Sequence, residues 1–327
     1  MTVKHRIAGA ALALATLPAL FAPDAAQAQA FPSKPIRIIV PFTPGAFNDA
    51  LARTLTTEFG KGFAPGSFVE NKPGGNTVIG TDAVAKAAPD GYTLLGVALP
   101  FSTLASLSPQ AKLDPVRDFT PVTFAGFTPN ILVVNNATPY KSVKELIAAA
   151  KAKPGTIPYA STGTGSSNHL SMELFKSMAG IDLVHIPYKG SAPALTDLIG
   201  GQVQAYFDNT PNVLPHIKVG KIRALAVTSA KRFPLTPDLP TMAESGVPGY
   251  EVAVWFGTVA PAGTPHDVVL KINTEINRIL TLPEVKDRFN QGGIEIVGGT
   301  PEAFGALIRK EAATWAKVVK DANIKAD

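Results

Sequence analysis

Short apolar runs alternate with helical stripes along most of the chain. Residues 36–40 form a continuous apolar run of strand length, a Pro/Gly-rich loop spans residues 41–48, and Leu51, Leu55 and Phe59 then recur every fourth residue up to Gly60. That order predicts a strand, a loop and a helix stopped by glycine. The unit returns at residues 157–160, with the loop 161–168 and a helix carrying Leu170, Leu174 and Met178 on one face before Gly180. Two such units predict two α/β layers. Further strands are expected at residues 67–70, 93–98, 131–135, 183–187, 203–207, 222–228, 252–259 and 294–297, with helices between them.

Local stop and start signals support these elements. Ser142-x-x-Glu145 is a capping box that opens a helix running to about Lys153, and Pro154-Gly155 closes it. Thr264-Pro265 and Thr300-Pro301 each place a cap residue before a proline at the first helical position. No internal repeat and no flexible linker separates the two α/β units, so ordered strands are expected to cross between them, as in a hinged clamp. The candidate crossings are residues 119–135 and 249–261, which makes the second lobe an insertion of residues 130–247 into the first.

The first thirty residues read differently. Lys4 and Arg6 precede an apolar run at residues 7–22, and Ala26-Gln27-Ala28 and Ala28-Gln29-Ala30 offer small-x-small cleavage sites. This is the pattern of a secretory signal peptide over residues 1–28, cleaved after Ala28 or Ala30, with a periplasmic mature protein. The full chain of 327 residues carries a formal charge of +5, and loss of Lys4, Arg6 and Asp24 lowers it to +4. The remaining positive charge is spread thinly, with no basic cluster for nucleic acid. The chain has no cysteine, which excludes disulfides, thiolate metal sites and thiol nucleophiles. The four histidines of the mature chain, His169, His185, His216 and His266, are scattered without metal-ligand spacing. Neither metal nor cofactor is expected.

Two strand-to-helix loops hold the candidate chemistry. Residues 41–49 read Pro-Phe-Thr-Pro-Gly-Ala-Phe-Asn-Asp, and residues 161–169 read Ser-Thr-Gly-Thr-Gly-Ser-Ser-Asn-His. Each is either a plain cap-bearing βα loop or an anion cradle made by helix N-terminal amides. The second has G-x-G, but Asn168 replaces the third glycine of a dinucleotide fingerprint, and no G-x-S-x-G elbow is present. Ser166 or Ser167 with His169 leaves a secreted serine hydrolase as the rival class. Residues 71–80 and 188–194 are two further polar, glycine-bearing turns before helical stretches.

Taken in order, Val40-Pro41-Phe42-Thr43-Pro44-Gly45 with Asp49 and Arg53, Glu70-Asn71-Lys72-Pro73-Gly74, Pro89-Asp90-Gly91-Tyr92, Tyr188-Lys189-Gly190 and Trp255-Phe256-Gly257 resemble the periplasmic substrate-binding proteins of tripartite tricarboxylate transporters, the Bug family. The resemblance implies a two-lobed α/β Venus flytrap of type II-like form, with hinge strands crossing between lobes. Lobe 1 would be residues 29–129 and 248–327, and lobe 2 residues 130–247. It further implies a monomer holding a small carboxylate and delivering it to a membrane permease; a ligand-sensing lobe for a membrane receptor would share that chemistry. Carried onto this chain, the first-lobe contacts would be Phe42, Thr43, Ala46, Phe47, Asn48 and Asp49, with Asn76 and Thr77. The second-lobe contacts would be Ser161, Gly163, Thr164, Gly165, Ser166, Ser167 and His169, with Tyr188 and Asp208. The family commonly has Gly-Gly where this chain has Gly45-Ala46-Phe47, so Ala46 is expected to restrict the loop. Phe47 is expected either to narrow the pocket or stack on the ligand, or to pack beneath the loop.

Overall fold

The computed structural model describes Thr2 and residues 31–324, so all of the expected leader but Thr2 lies outside the described residues. In chain order the elements are β1 (Arg37–Val40), α1 (Phe47–Phe59), β2 (Phe68–Asn71), α2 (Val78–Ala85), β3 (Thr93–Ala98), α3 (Leu104–Leu107) and β4 (Phe119–Val134). Next come α4 (Val143–Ala152), β5 (Pro158–Ser161), α5 (Ser167–Ala179), β6 (Val184–Pro187), α6 (Ser191–Gly200), β7 (Ala205–Asn209), α7 (Thr210–Lys218) and β8 (Arg223–Val227). Last come β9 (Ala253–Pro261), α8 (His266–Leu280), α9 (Pro283–Gln291), β10 (Glu295–Ile296) and α10 (Pro301–Asp321).

One strand joins the two halves. Residues 119–129 of β4 pair antiparallel with β9, and residues 130–134 pair antiparallel with β7 and β8. The first half of the sheet runs β2-β1-β3-β9-β4 with β10 also on β4, and the second runs β4-β7-β5-β6 with β8 also on β4. The changeover falls at Pro129-Asn130, where a prolyl nitrogen has no hydrogen to give to a ladder. Beyond it, Ile131 and Val133 pack with Tyr206 and Val227, whereas Leu132 and Val134 join Phe175 and Phe207. Apolar residues on both faces of the second half match a sheet covered on both sides. A buried polar knot ties the crossing: the Asn130 N–H donates to Thr228 Oγ1 at 2.8 Å, and that hydroxyl donates to the Val252 carbonyl at 2.7 Å.

Several expectations need correction. Of the two crossings expected, 119–135 corresponds to β4, and the return through 249–261 donates the Val252 N–H to the Thr228 carbonyl at 2.9 Å before regular strand starts at Ala253 and pairs with β3 and β4. Pro248 and Gly249, the latter at φ +79°, break the extended run before it. Helix α8 begins at His266 with Pro265 itself at the cap position; Thr264 instead donates its hydroxyl back to the Pro261 carbonyl. Thr300 does cap α10, accepting from the Ala303 N–H. In the Ser142 box, Ser142 Oγ accepts from the Glu145 N–H, but the Glu145 carboxylate reaches the Lys141 N–H, one residue before the reciprocal position. Met178 is exposed; the buried side of α5 carries Leu170, Met172 and Phe175.

Candidate functional site

The first ligand loop owes its shape to Asp49. Its Oδ2 accepts from the Gly45 N–H and Arg53 Nε, both at 3.0 Å, and its Oδ1 accepts from Asn71 Nδ2 at 2.9 Å. Burial alone would raise this carboxyl, but hydrogen bonds from Arg53, Gly45 and Asn71 overcome it and hold it below the usual carboxylate range. Asn71 Nδ2 also donates to the Phe42 carbonyl, which fixes the other end of the loop. The aspartate therefore shapes the loop, with its oxygens engaged inside the protein.

The restriction expected from Ala46 does not arise. Gly45 takes the left-handed conformation at φ +89°, and Ala46 sits in ordinary extended space at φ −67°. No side chain caps α1, and the Asp49 and Ala50 N–H groups both donate to the Ala46 carbonyl, at 3.0 and 3.1 Å. Phe47 meets its aromatic partners within the protein, 4.3 Å from the Phe256 ring and 5.2 Å from Phe289, which is the arrangement of the packing alternative. Asn48 is buried, with an Oδ1 that has no hydrogen-bond partner.

The neighbouring turn is strained. Gly74, Gly75, Asn76 and Thr77 all have positive φ, and for β-branched Thr77 at φ +73° this costs about 1–3 kcal/mol. Thr77 occupies the cap position of α2, yet its buried hydroxyl caps nothing and has no partner.

The second loop is built from its own hydroxyls. Ser161 Oγ accepts from the Gly163 N–H at 3.0 Å and lies 2.5 Å from His185 Nε2. Ser166 caps α5: its Oγ accepts from the His169 N–H and donates to the Gly163 carbonyl. The ring of His169 accepts the Gly165 N–H at Nδ1 and lies 4.2 Å from the His185 ring. The hydroxyl of Ser166 is thus engaged with backbone rather than with an imidazole ring, unlike the arrangement a hydrolase triad requires.

Asn168 links this loop to Asp208. Its Oδ1 accepts from Thr162 Oγ1 at 2.5 Å, and its Nδ2 donates to the Phe207 carbonyl and Asp208 Oδ1 at 2.8 and 2.9 Å. Asp208 Oδ1 also accepts from the Asn209 N–H and Asn212 Nδ2, whereas its buried Oδ2 has no partner. Burial pushes this carboxyl up, against the pull of Ser191, Asn209, Asn212 and Asn168. Tyr188 donates its hydroxyl to Asp197 Oδ2 at 2.7 Å; burial and then this carboxylate push its phenol up to about 12.

The second loop meets the first half of the chain at Gly165. A methyl group there would stand 2.5 Å from Asn76 Nδ2 and 2.8 Å from Leu107 Cδ1, so the second loop lies directly against the strained turn of the first half. Gly165 also needs its φ of +80°. Among the described residues no group of three acidic or histidine side chains could hold a metal, and no helix is long and apolar enough to cross a membrane.

Comparison with known proteins accords with this geometry. The family model for the tripartite tricarboxylate transporter family receptor matches residues 51–324. Protein BugT of Bordetella pertussis is 40% identical over 91% of this chain and 92% of its own length. The R. palustris protein Rpa4515, solved with adipate, superposes with a TM-score of 0.83 at 38% identity, covering 91% of this chain and all of its own. MatC from Rhodopseudomonas palustris, solved with bound malate, gives a TM-score of 0.79 at 31% identity over 88% of this chain and all of its own. The α/β architecture with β4 shared between halves is that of a two-lobed periplasmic binding protein.

Proposed function

The chain belongs to the tripartite tricarboxylate transporter receptor family, and on that premise we propose that it is an exported, non-enzymatic receptor that closes on a small carboxylate and passes it to a membrane permease. The lobes are residues 29–129 with 248–327, and residues 130–247, with β4 as the principal hinge strand. The observation that carries this reading is the approach of Gly165 to Asn76, which sets two glycine-bearing helix-start loops against one another.

Neither loop, 41–49 or 161–169, contains a lysine or arginine, and Arg53 is already paired with Asp49. Anion capture then falls to backbone amides at the starts of α1 and α5, where aligned peptide dipoles and unbonded N–H groups favour negative charge. A ligand touching both halves stabilises the closed form by its differential contacts, and the closed form presents one combined surface to a permease. The adipate and malate named for the two structural neighbours support the ligand class. Calorimetry against dicarboxylates, tricarboxylates, acidic amino acids and aromatic acids tests it. Saturable binding of at least one member is expected; no binding across the panel at millimolar concentration overturns the reading. A fluorophosphonate serine probe should leave the protein unlabelled.

A further inference from the structure

We infer that the end of the second half farthest from the β4 changeover, where Lys141, Lys218, Val219, Lys221 and Arg223 gather beside Ile199, docks on an anionic lipid bilayer surface. This goes beyond the carboxylate reading and uses none of its residues. Charge that is thin along the sequence is uneven between the halves. Residues 130–247 hold eleven lysines and arginines against seven aspartates and glutamates, whereas the rest of the chain from residue 29 holds seventeen of each. The whole formal excess of the mature chain therefore lies on the second half.

The fold gathers part of that excess around the turn that follows β4. Asn136 Nδ2 donates to the Gly220 carbonyl at 2.7 Å, and the Arg223 guanidinium donates to the carbonyls of Asn136, Thr138 and Tyr140 at 3.3, 3.5 and 3.3 Å. These bonds staple residues 136–140 to the turn between α7 and β8, which brings Lys141 to the same end of the sheet as Lys218, Lys221 and Arg223. All three lysines are exposed. Among the described residues, the ion pairs of this half join Lys176 to Glu173 and Asp182 and Arg232 to Glu244, so none of these four cations is paired with a carboxylate. The Glu145 carboxylate accepts the Lys141 N–H, and Asp182 stands before β6, at the opposite edge of this half of the sheet.

An apolar tip rises among these charges. The Gly220 N–H donates to the Ile217 carbonyl and the Lys221 N–H to the His216 carbonyl, with Gly220 at φ +68°. That tight turn leaves Val219 67% exposed, the highest value for a large hydrophobic side chain among the described residues. On the other side of the 135–138 turn, Asn135 Nδ2 donates to the Leu198 and Ile199 carbonyls, which sets exposed Ile199 at the same end. A hydrophobic tip in a lysine rim supplies both ingredients of interfacial membrane binding, apolar insertion and attraction to anionic headgroups. It suits a protein partner poorly, because two apolar side chains do not make the core of a standard interface and lysine is depleted there. Strands β5 and β7 run antiparallel to β4, so the 161–169 loop leaves the opposite end of the sheet and stays uncovered.

The test is co-sedimentation of the mature protein with vesicles of phosphatidylcholine alone and of phosphatidylcholine mixed equally with phosphatidylglycerol. Binding to the mixed vesicles at low ionic strength is expected, absent from phosphatidylcholine alone and lost towards about 1 M salt. Lys218→Gln with Lys221→Gln should weaken it about 25-fold, or about fivefold per lysine. Lys61→Gln with Lys86→Gln, both exposed on the first half, should leave it unchanged. Val219→Trp should bind more tightly, and its emission should shift to the blue on vesicle addition against a constant background from buried Trp255 and Trp315. Equal binding to both vesicle types, no binding to the mixed vesicles at low salt, or an equal loss in the first-half pair overturns the inference. An unshifted emission from bound Val219→Trp overturns the placement of this tip at the bilayer. Capture by native membranes without binding to lipid vesicles also overturns it, and assigns the surface to an acidic protein face instead.

Discussion

Among single residues, Gly165 and Asp49 bear most directly on the site. Alanine at position 165 would adopt an unfavourable positive φ and displace Asn76, so Gly165→Ala should cost about 1–3 kcal/mol of stability and weaken ligand binding more than that. Thermal melting separates the two effects, because the binding loss must persist at temperatures where the variant is fully folded. Asp49→Ala removes the acceptor for Gly45, Arg53 and Asn71, and should cost about 1–3 kcal/mol. Because its folded carboxyl lies below the ordinary range, that contribution is present above the unfolded value and fades as pH falls through the folded one. A wild-type-minus-variant stability difference that does not shrink in acid would contradict this. Phe47 was legible in the sequence as an aromatic intruder in the loop. Its partners were not, since Phe256 and Phe289 lie far along the chain.

At the level of elements, α10 offers a second titration. Glu311 sits beneath two indoles, its Oε2 accepting from Trp315 Nε1 at 2.9 Å and from Trp255 Nε1 at 3.3 Å. Burial raises its carboxyl, and the two tryptophans only partly offset this. The unfolded chain therefore releases this proton first, and the fold loses stability as pH rises from the unfolded value toward the folded one. Glu311→Gln keeps an acceptor and removes the charge, so its stability relative to wild type should improve between pH 4 and pH 8, as read by denaturant unfolding at each pH. A constant difference would show that Glu311 does not titrate differently in the two states. Most helix starts were readable from local chemistry, as at Ser142 and Thr300. The Thr264 start was not, because its hydroxyl found the Pro261 carbonyl instead of a helical N–H.

For the whole molecule, the decisive feature is a single strand shared by two halves. Closure around a bound acid should appear as a smaller radius of gyration in small-angle scattering with saturating ligand than without it. The same ligand at one hundred times its Kd should stabilise the fold by about 2.7 kcal/mol, read as a rise in Tm. A ligand that binds without compaction would detach capture from lobe closure.

The sequence by itself determined the strand–loop–helix units, most of their boundaries, the polar glycine-bearing loops and the family, because periodicity, caps and turn chemistry are local properties of neighbouring residues. Only the tertiary structure decided that β4 changes partners at Pro129-Asn130, that Gly165 lies against Asn76, and that Asn168 and Asn212 converge on one oxygen of Asp208. Those facts depend on which distant segments share a sheet edge, and contacts between distant segments are set by packing of the whole core rather than by any stretch of chain that can be read alone.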